Sequence, residues 1–232
     1  MLQENLINVQ AKIEAALARR TEEKITGNKV TLVAVTKNHP AQVITDALNL
    51  GITTIGENRV QEAKAKREIT GAVGRWHLIG HLQTNKAKQA VAIFDMIESA
   101  DSRHLMETLD KEAAKAGKVQ DILLQVNIAR EEQKTGFSPE DYKAIVPELD
   151  NFKNLHVCGL MVIAPAADNP DDIRWVFAEG YKLFCELKQQ RPDIGTLSMG
   201  MTHDYEVAIE EGANMVRIGT ALFGQRDYSL KF

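Results

Sequence analysis

The chain is poor in cysteine: only Cys158 and Cys185 occur among 232 residues. They form no CxxC pair and have no histidine at ligand spacing, which excludes a disulfide framework and a zinc ribbon. Buried, reduced thiols are expected. Long apolar runs are missing too, since no stretch approaches the roughly eighteen residues that a membrane span needs. The opening residues 1–8 lack the basic start and continuous apolar core of an export signal, so a cytoplasmic chain with no membrane partner is expected. Nor is there an excess of positive charge. The formal net charge is −4 and the sequence pI about 5.9, which leaves no global field for nucleic acid. Neither a GxGxxG fingerprint nor a GxxxxGK[ST] loop is present, and this disfavours nucleotide binding. No Ser/Gly/Pro-rich linker, charge block or internal repeat interrupts the chain, so residues 1–232 are expected to form one domain.

Hydrophobic residues make up 44% and charged residues 26%, values that suit a packed globular core. Leu2, Leu6, Val9, Ile13 and Leu17 recur at steps of three and four, predicting a leading amphipathic helix. That helix could plug the bottom of the fold or lie on its flank. Residues 30–36 are β-branched and apolar on both parities, as a strand covered on both faces is. Further strands are predicted at 52–55, 76–79, 96–98, 122–126, 155–163, 196–198 and 215–218. Helical patterns fall between them, at 40–48, 60–68, 85–92, 102–116, 139–149, 171–190 and 204–211. Such alternation implies parallel strands and right-handed crossovers. Eight strands predict an α/β fold built as a single (β/α)₈ TIM-type barrel with an extra N-terminal helix; a doubly wound open sheet is the competing architecture. Residues 129–136 form the longest polar connection after a strand and are a candidate mobile rim element.

In parallel βα folds functional groups gather at the carboxyl ends of strands. Four exits are polar or glycine-rich here: Thr36-Lys37-Asn38-His39, Gly56-Glu57-Asn58-Arg59, the run from Ser198 through Gly200, Met201 and Thr202 to Asp204, and Arg217-Ile-Gly219-Thr220. The last two can present N–H and O–H donors to a phosphate, or merely cap helices and allow tight turns. If the eighth strand pairs with the first, Arg217 and Lys37 sit at neighbouring strand ends, about 4.8 Å apart laterally. A cationic neighbour and desolvation favour the neutral amine that attacks an aldehyde. His77 and His81 have the i, i+4 spacing of helical metal ligands, yet they lie on a predicted strand broken by Gly80, and no third ligand falls nearby; no metal is expected. His203 receives no role.

Taken together, several segments resemble the pyridoxal phosphate homeostasis protein family over nearly the whole chain. They are Ala34-Val-Thr-Lys37, Gly56-Glu-Asn-Arg-Val-Gln-Glu62, Trp76-His-Leu-Ile-Gly-His-Leu-Gln-Thr-Asn-Lys86, Gln125-Val-Asn127, Lys134-Thr-Gly136, Gly159-Leu-Met161, Leu197-Ser-Met-Gly-Met201 and Val216-Arg-Ile-Gly-Thr-Ala-Leu-Phe-Gly224. The resemblance implies a barrel like the N-terminal domain of alanine racemase, with pyridoxal 5′-phosphate held as an aldimine (Schiff base) on Lys37. It implies that Ser198, Gly200, Met201, Gly219 and Thr220 surround the phosphate, with Thr202 where the family commonly has serine. Asn58 and Met161 complete the expected cofactor set. Arg217 would face the pyridine nitrogen, and two positive charges would then disfavour ring protonation and weaken the electron sink.

The family resemblance implies a carrier that limits the free aldehyde in the cytoplasm and hands it transiently to apo-enzymes, without conventional turnover; we expect it to be a monomer. An amino-acid racemase is the alternative. Two-base racemisation needs an acid/base on the opposite face, supplied in alanine racemases by a partner's C-terminal β domain; the chain's ending soon after the eighth strand leads us to expect none. A lysine-dependent sugar-phosphate aldolase is the third reading, with Glu57 as the near carboxylate.

Overall fold

The computed structural model describes residues 1–225 and Ser229. Eight parallel strands close into a barrel in sequential order, β1 (Thr31–Val35), β2 (Thr54–Glu57), β3 (Arg75–Leu78), β4 (Met96–Ala100), β5 (Gln120–Val126), β6 (Leu155–Val162), β7 (Thr196–Met199) and β8 (Met215–Ile218). β8 pairs with β1 over four residues, Thr31 with Met215 through Ala34 with Ile218. Closure, and not an open sheet, is the outcome. The strands carry apolar residues on both parities because both faces are covered: the outer face packs on helices, the inner one lines the lumen.

The helices are α1 (Leu2–Ala18), α2 (Gln42–Asn49), α3 (Val60–Thr70), α4 (Ala87–Ile93), α5 (Arg103–Lys115), α6 (Pro139–Ile145), α7 (Arg174–Gln190), α8 (Tyr205–Glu210) and α9 (Thr220–Phe223). Their starts follow local chemistry. Ser102 Oγ accepts from Leu105 N to cap α5, and Ser138 caps α6 with Pro139 in its first turn. The pattern over 139–149 breaks after Ile145, where Pro147 lacks an N–H and the chain tightens into a 3₁₀ segment, Val146–Asn151. Between barrel and helices, Trp76, Phe94, Leu105, Phe177 and Phe184 are fully buried, each worth about 1.5–3 kcal/mol of transfer free energy.

α1 takes the flank. It packs on α8 and α9, with Arg19 paired to Glu206 and Glu210 and Asn5 Nδ2 donating to Leu222 O at 2.8 Å. The 129–136 connection is pinned to the rim. Asn127 Nδ2 donates to Glu131 O and Lys134 O, Gln125 Nε2 to Thr135 O, and Lys134 Nζ to Ala164 O. The two thiols are unbridged and half-buried, not wholly buried as expected. Among the described residues no helix is long and apolar enough to cross a membrane.

Candidate functional site at the carboxyl ends of the strands

A cavity of about 240 Å³ opens at the carboxyl end of the barrel. Of the residues singled out from sequence, Lys37, Asn58, Met201, Thr202, Arg217, Gly219 and Thr220 line it, drawn from the exits of β1, β2, β7 and β8. Val35, Ile79 and Ile163 supply apolar walls, and His203, which had no assigned role, completes the rim. Met161, Ser198 and Gly200 do not line it. Met161 packs with Met96 and Leu123 inside the lumen. Gly200 turns the chain from β7 toward α8 at φ +96°, and a Cβ there would lie 2.7 Å from Tyr205 Cα and Ala208 Cβ. Only glycine lets α8 approach this closely.

The expected side-by-side placement of Lys37 and Arg217 needs correction. Arg217 pairs with Val33, four residues before Lys37, because the parallel register sets the interior of β8 against the middle of β1. The two residues still share the cavity, Lys37 half-buried at its mouth and Arg217 buried deeper. Register depends on barrel stagger, which strand counting cannot supply.

Beneath the cavity runs a polar chain through the lumen. Arg217 Nη2 donates to Val162 O at 2.9 Å and Nη1 to Ser198 Oγ at 2.7 Å. Ser198 Oγ donates to Glu98 Oε2 at 2.6 Å, and Glu98 Oε1 meets His77 Nδ1 at 2.7 Å. Burial pushes the Glu98 carboxyl up, but the His77 contact, the Arg217 charge and the Ser198 hydroxyl together hold it below its ordinary value. Burial lowers the Arg217 guanidinium, opposed by Glu98 and Asp204. Asp204 itself is raised by burial although it accepts from Met201 N at 2.5 Å. The Met201 amide is thereby spent on Asp204.

A second buried network stands behind the β1 exit. Lys66 on α3 donates to Thr36 O at 2.6 Å, Glu57 Oε1 at 2.8 Å and Glu62 Oε1 at 2.7 Å. Thr36 Oγ1 donates to Glu57 Oε1, and Asn38 N donates to Glu62 Oε1. Both neighbours of Lys37 are therefore anchored. Desolvation raises Glu57 to about 7, against the lowering influence of Lys66. The sequence reading missed Lys66 and Glu62 as supports; their i, i+4 spacing on α3 was the available signal. It also weighed His77 and His81 only as metal ligands, whereas each meets a carboxylate about twenty residues on, Glu98 and Asp101.

Residues 14–227 match the family model described as alanine racemase, N-terminal domain. The pyridoxal phosphate homeostasis protein of Aquifex aeolicus is 41% identical over 227 residues, covering 97% of this chain and 98% of that one; its counterpart in Escherichia coli K12 is 37% identical over 235 residues, covering 98% and 97%. PipY of Synechococcus elongatus, solved with PLP bound, superposes with a TM-score of 0.83 at 38% identity, covering 97% of this chain and all of that one. An alanine racemase of Clostridium difficile shares the fold alone, at 15% identity and a TM-score of 0.71 over 59% of its length. The chain belongs to the alanine racemase N-terminal domain family and, within it, to the pyridoxal phosphate homeostasis proteins.

Proposed function

We propose that this chain is a single-domain, monomeric cytoplasmic protein that binds pyridoxal 5′-phosphate through Lys37 and buffers it within the cell. The observation that carries the reading is the half-buried Lys37 amine sharing one cavity with Thr202, Gly219, Thr220 and Arg217. Bound pyridoxal phosphate brings an aldehyde carbon to which a primary amine adds, a ring nitrogen and a dianionic phosphate. The donor set fits such a group. No acidic residue stands among the described lining residues, and Val35, Ile79, Ile163 and Met201 offer apolar surface for an aromatic ring.

Each residue then has a task. Lys37 is the covalent attachment point, held by its anchored neighbours Thr36 and Asn38. Thr202 and Thr220 hydroxyls and the Gly219 backbone, which line the cavity where β7 and β8 end, would hold the phosphate, and Asn58 from the β2 exit would border the ring. Ser198 acts one layer lower, as the acceptor that orients Arg217. Arg217 lines the cavity whereas its partner Glu98 does not, so the guanidinium would disfavour a proton on the ring nitrogen and keep the cofactor poorly armed for carbanion chemistry. Holding and transient release to apo-enzymes, rather than racemisation, is the activity this arrangement supports.

The test is spectroscopic. Purified protein loaded with pyridoxal phosphate is expected to show a visible band that borohydride fixes onto Lys37, located by peptide mass spectrometry, and that Lys37→Ala abolishes. A wild-type protein that stays colourless after loading would sink the reading. D/L exchange of alanine or serine by the loaded protein is expected at background; turnover at enzyme-like rates would favour the racemase.

A further inference from the structure

At the opposite mouth of the barrel, where the strands begin, three side chains of different donor chemistry converge. Asp121 is the second residue of β5 and His156 the second of β6, and the two are register partners. Cys158 follows His156 by two residues, and alternation along a strand puts it on the same face. A register shift in the β5–β6 pairing falls beside it. One carboxylate oxygen, one imidazole nitrogen and the thiol sulfur lie within 4.8 Å of one another. His156 Nδ1 is 2.9 Å from Asp121 Oδ1 and 3.4 Å from Cys158 Sγ.

We propose that Asp121, His156 and Cys158 form a divalent-cation site, best suited to zinc, that clips β5 to β6 at the amino-terminal end of the barrel. A mixed sulfur, nitrogen and oxygen set suits a borderline ion that takes four ligands at 2.0–2.3 Å, water filling the fourth position. The ligand atoms are close enough for one ion to span them after small rotations. Support comes from outside the trio. Asp193 Oδ2 stands 3.8 Å from His156 Nε2, so with Nδ1 on the metal the other ring nitrogen faces a carboxylate, as metal-bound imidazoles commonly do. Charge also balances. Arg75 Nη2 lies 3.6 Å from Asp121 Oδ2, and the ion plus this arginine match Asp121, Asp193 and a Cys158 thiolate. Binding forms the metal–sulfur bond and releases the thiol proton to solvent. The sequence reading expected no metal because it sought ligands at short spacing, and Asp121 joins the other two only through strand pairing.

The site lies a barrel's length from Lys37 and does not rest on the proposed cofactor. Full-length protein, stripped with chelator, is titrated with cobalt(II) and then zinc(II). One equivalent of cobalt is expected to give sulfur-to-metal charge-transfer absorption and the visible bands of a four-coordinate ion, both erased by zinc. Cys158→Ser should abolish the charge transfer, His156→Asn should weaken zinc binding at least about tenfold, and Cys185→Ser should change neither. Thermal unfolding confirms that each variant is folded. Absence of the charge-transfer band, its survival in Cys158→Ser, or unchanged zinc affinity in His156→Asn would overturn the proposal. Zinc should leave the spectrum of pyridoxal-phosphate-loaded protein unaltered, and a shift there would instead place the ion at the carboxyl mouth.

Discussion

Gly159 shows how much one missing Cβ decides. It sits at φ +153° in β6 and pairs with Thr196 of β7; a Cβ there would fall 1.7 Å from Thr196 O and 2.7 Å from its carbonyl carbon. Backbone atoms in a closed barrel have no room to yield, so Gly159→Ala must open the β6–β7 ladder that also aligns Met161 with Ser198. Destabilisation of about 3 kcal/mol or more is expected, the upper range of overpacking and backbone strain, read as a shift in urea midpoint. Gly195→Ala is the control. A Cβ at residue 195 would meet nothing within 4 Å, and the smaller unfolded-state entropy should leave stability unchanged or raised by up to about 1 kcal/mol. Equal effects at the two positions would show that the close approach in β6 is not what restricts residue 159.

At the scale of elements, α3 determines how the β1 exit is held. Lys66 is wholly buried and bridges β1, β2 and its own helix, so the turn bearing Lys37 is fastened from behind. Lys66→Met would leave Glu57 and Glu62 buried without their cation, at a cost of about 3–5 kcal/mol, and should loosen cofactor retention as well. Glu57 gives the cluster a pH signature. Its folded pKa is raised to about 7, whereas an unfolded glutamate titrates near ~4.3. Between these values the folded chain holds a proton that the unfolded chain has released, so this group's stabilising contribution is complete at lower pH and declines as pH rises toward 7. The stability of wild type minus that of Glu57→Gln should therefore fall across that window, by up to about 1.4 kcal/mol per pH unit, and level off above it. A flat difference curve would show that Glu57 is ionised throughout. Of this the sequence carried only the i, i+4 spacing of Glu62 and Lys66; the burial that makes Lys66 a bridge, and not one more helical lysine, left no mark there. The elements themselves were legible, because strand residues apolar on both parities alternate with amphipathic stretches. α9 was not, since four residues after Gly219 are too few to display a period.

For the whole molecule, eight strands implied closure, and closure converts separate exits into one cavity; the depth of Arg217 escaped because stagger leaves no mark on composition. The lumen that closure creates is not purely apolar. Its polar chain joins β3, β4, β7, β8 and β6 through His77, Glu98, Ser198, Arg217 and the Val162 carbonyl, with the Arg217 and Glu98 charged atoms 3.9 Å apart. Both groups are buried, so each depends on the other for charge compensation. Arg217→Met should strand the Glu98 carboxylate and destabilise the cofactor-free protein by about 3–5 kcal/mol. Glu98→Gln should likewise expose the cost of an uncompensated Arg217. Removing both charges removes both penalties, so the double variant should be more stable than the sum of the single losses predicts, by on the order of 1–3 kcal/mol in a urea-denaturation cycle. Additive losses would mean that water or another group neutralises Arg217, and the guanidinium would then be free to move toward a ligand instead of being fixed beneath it.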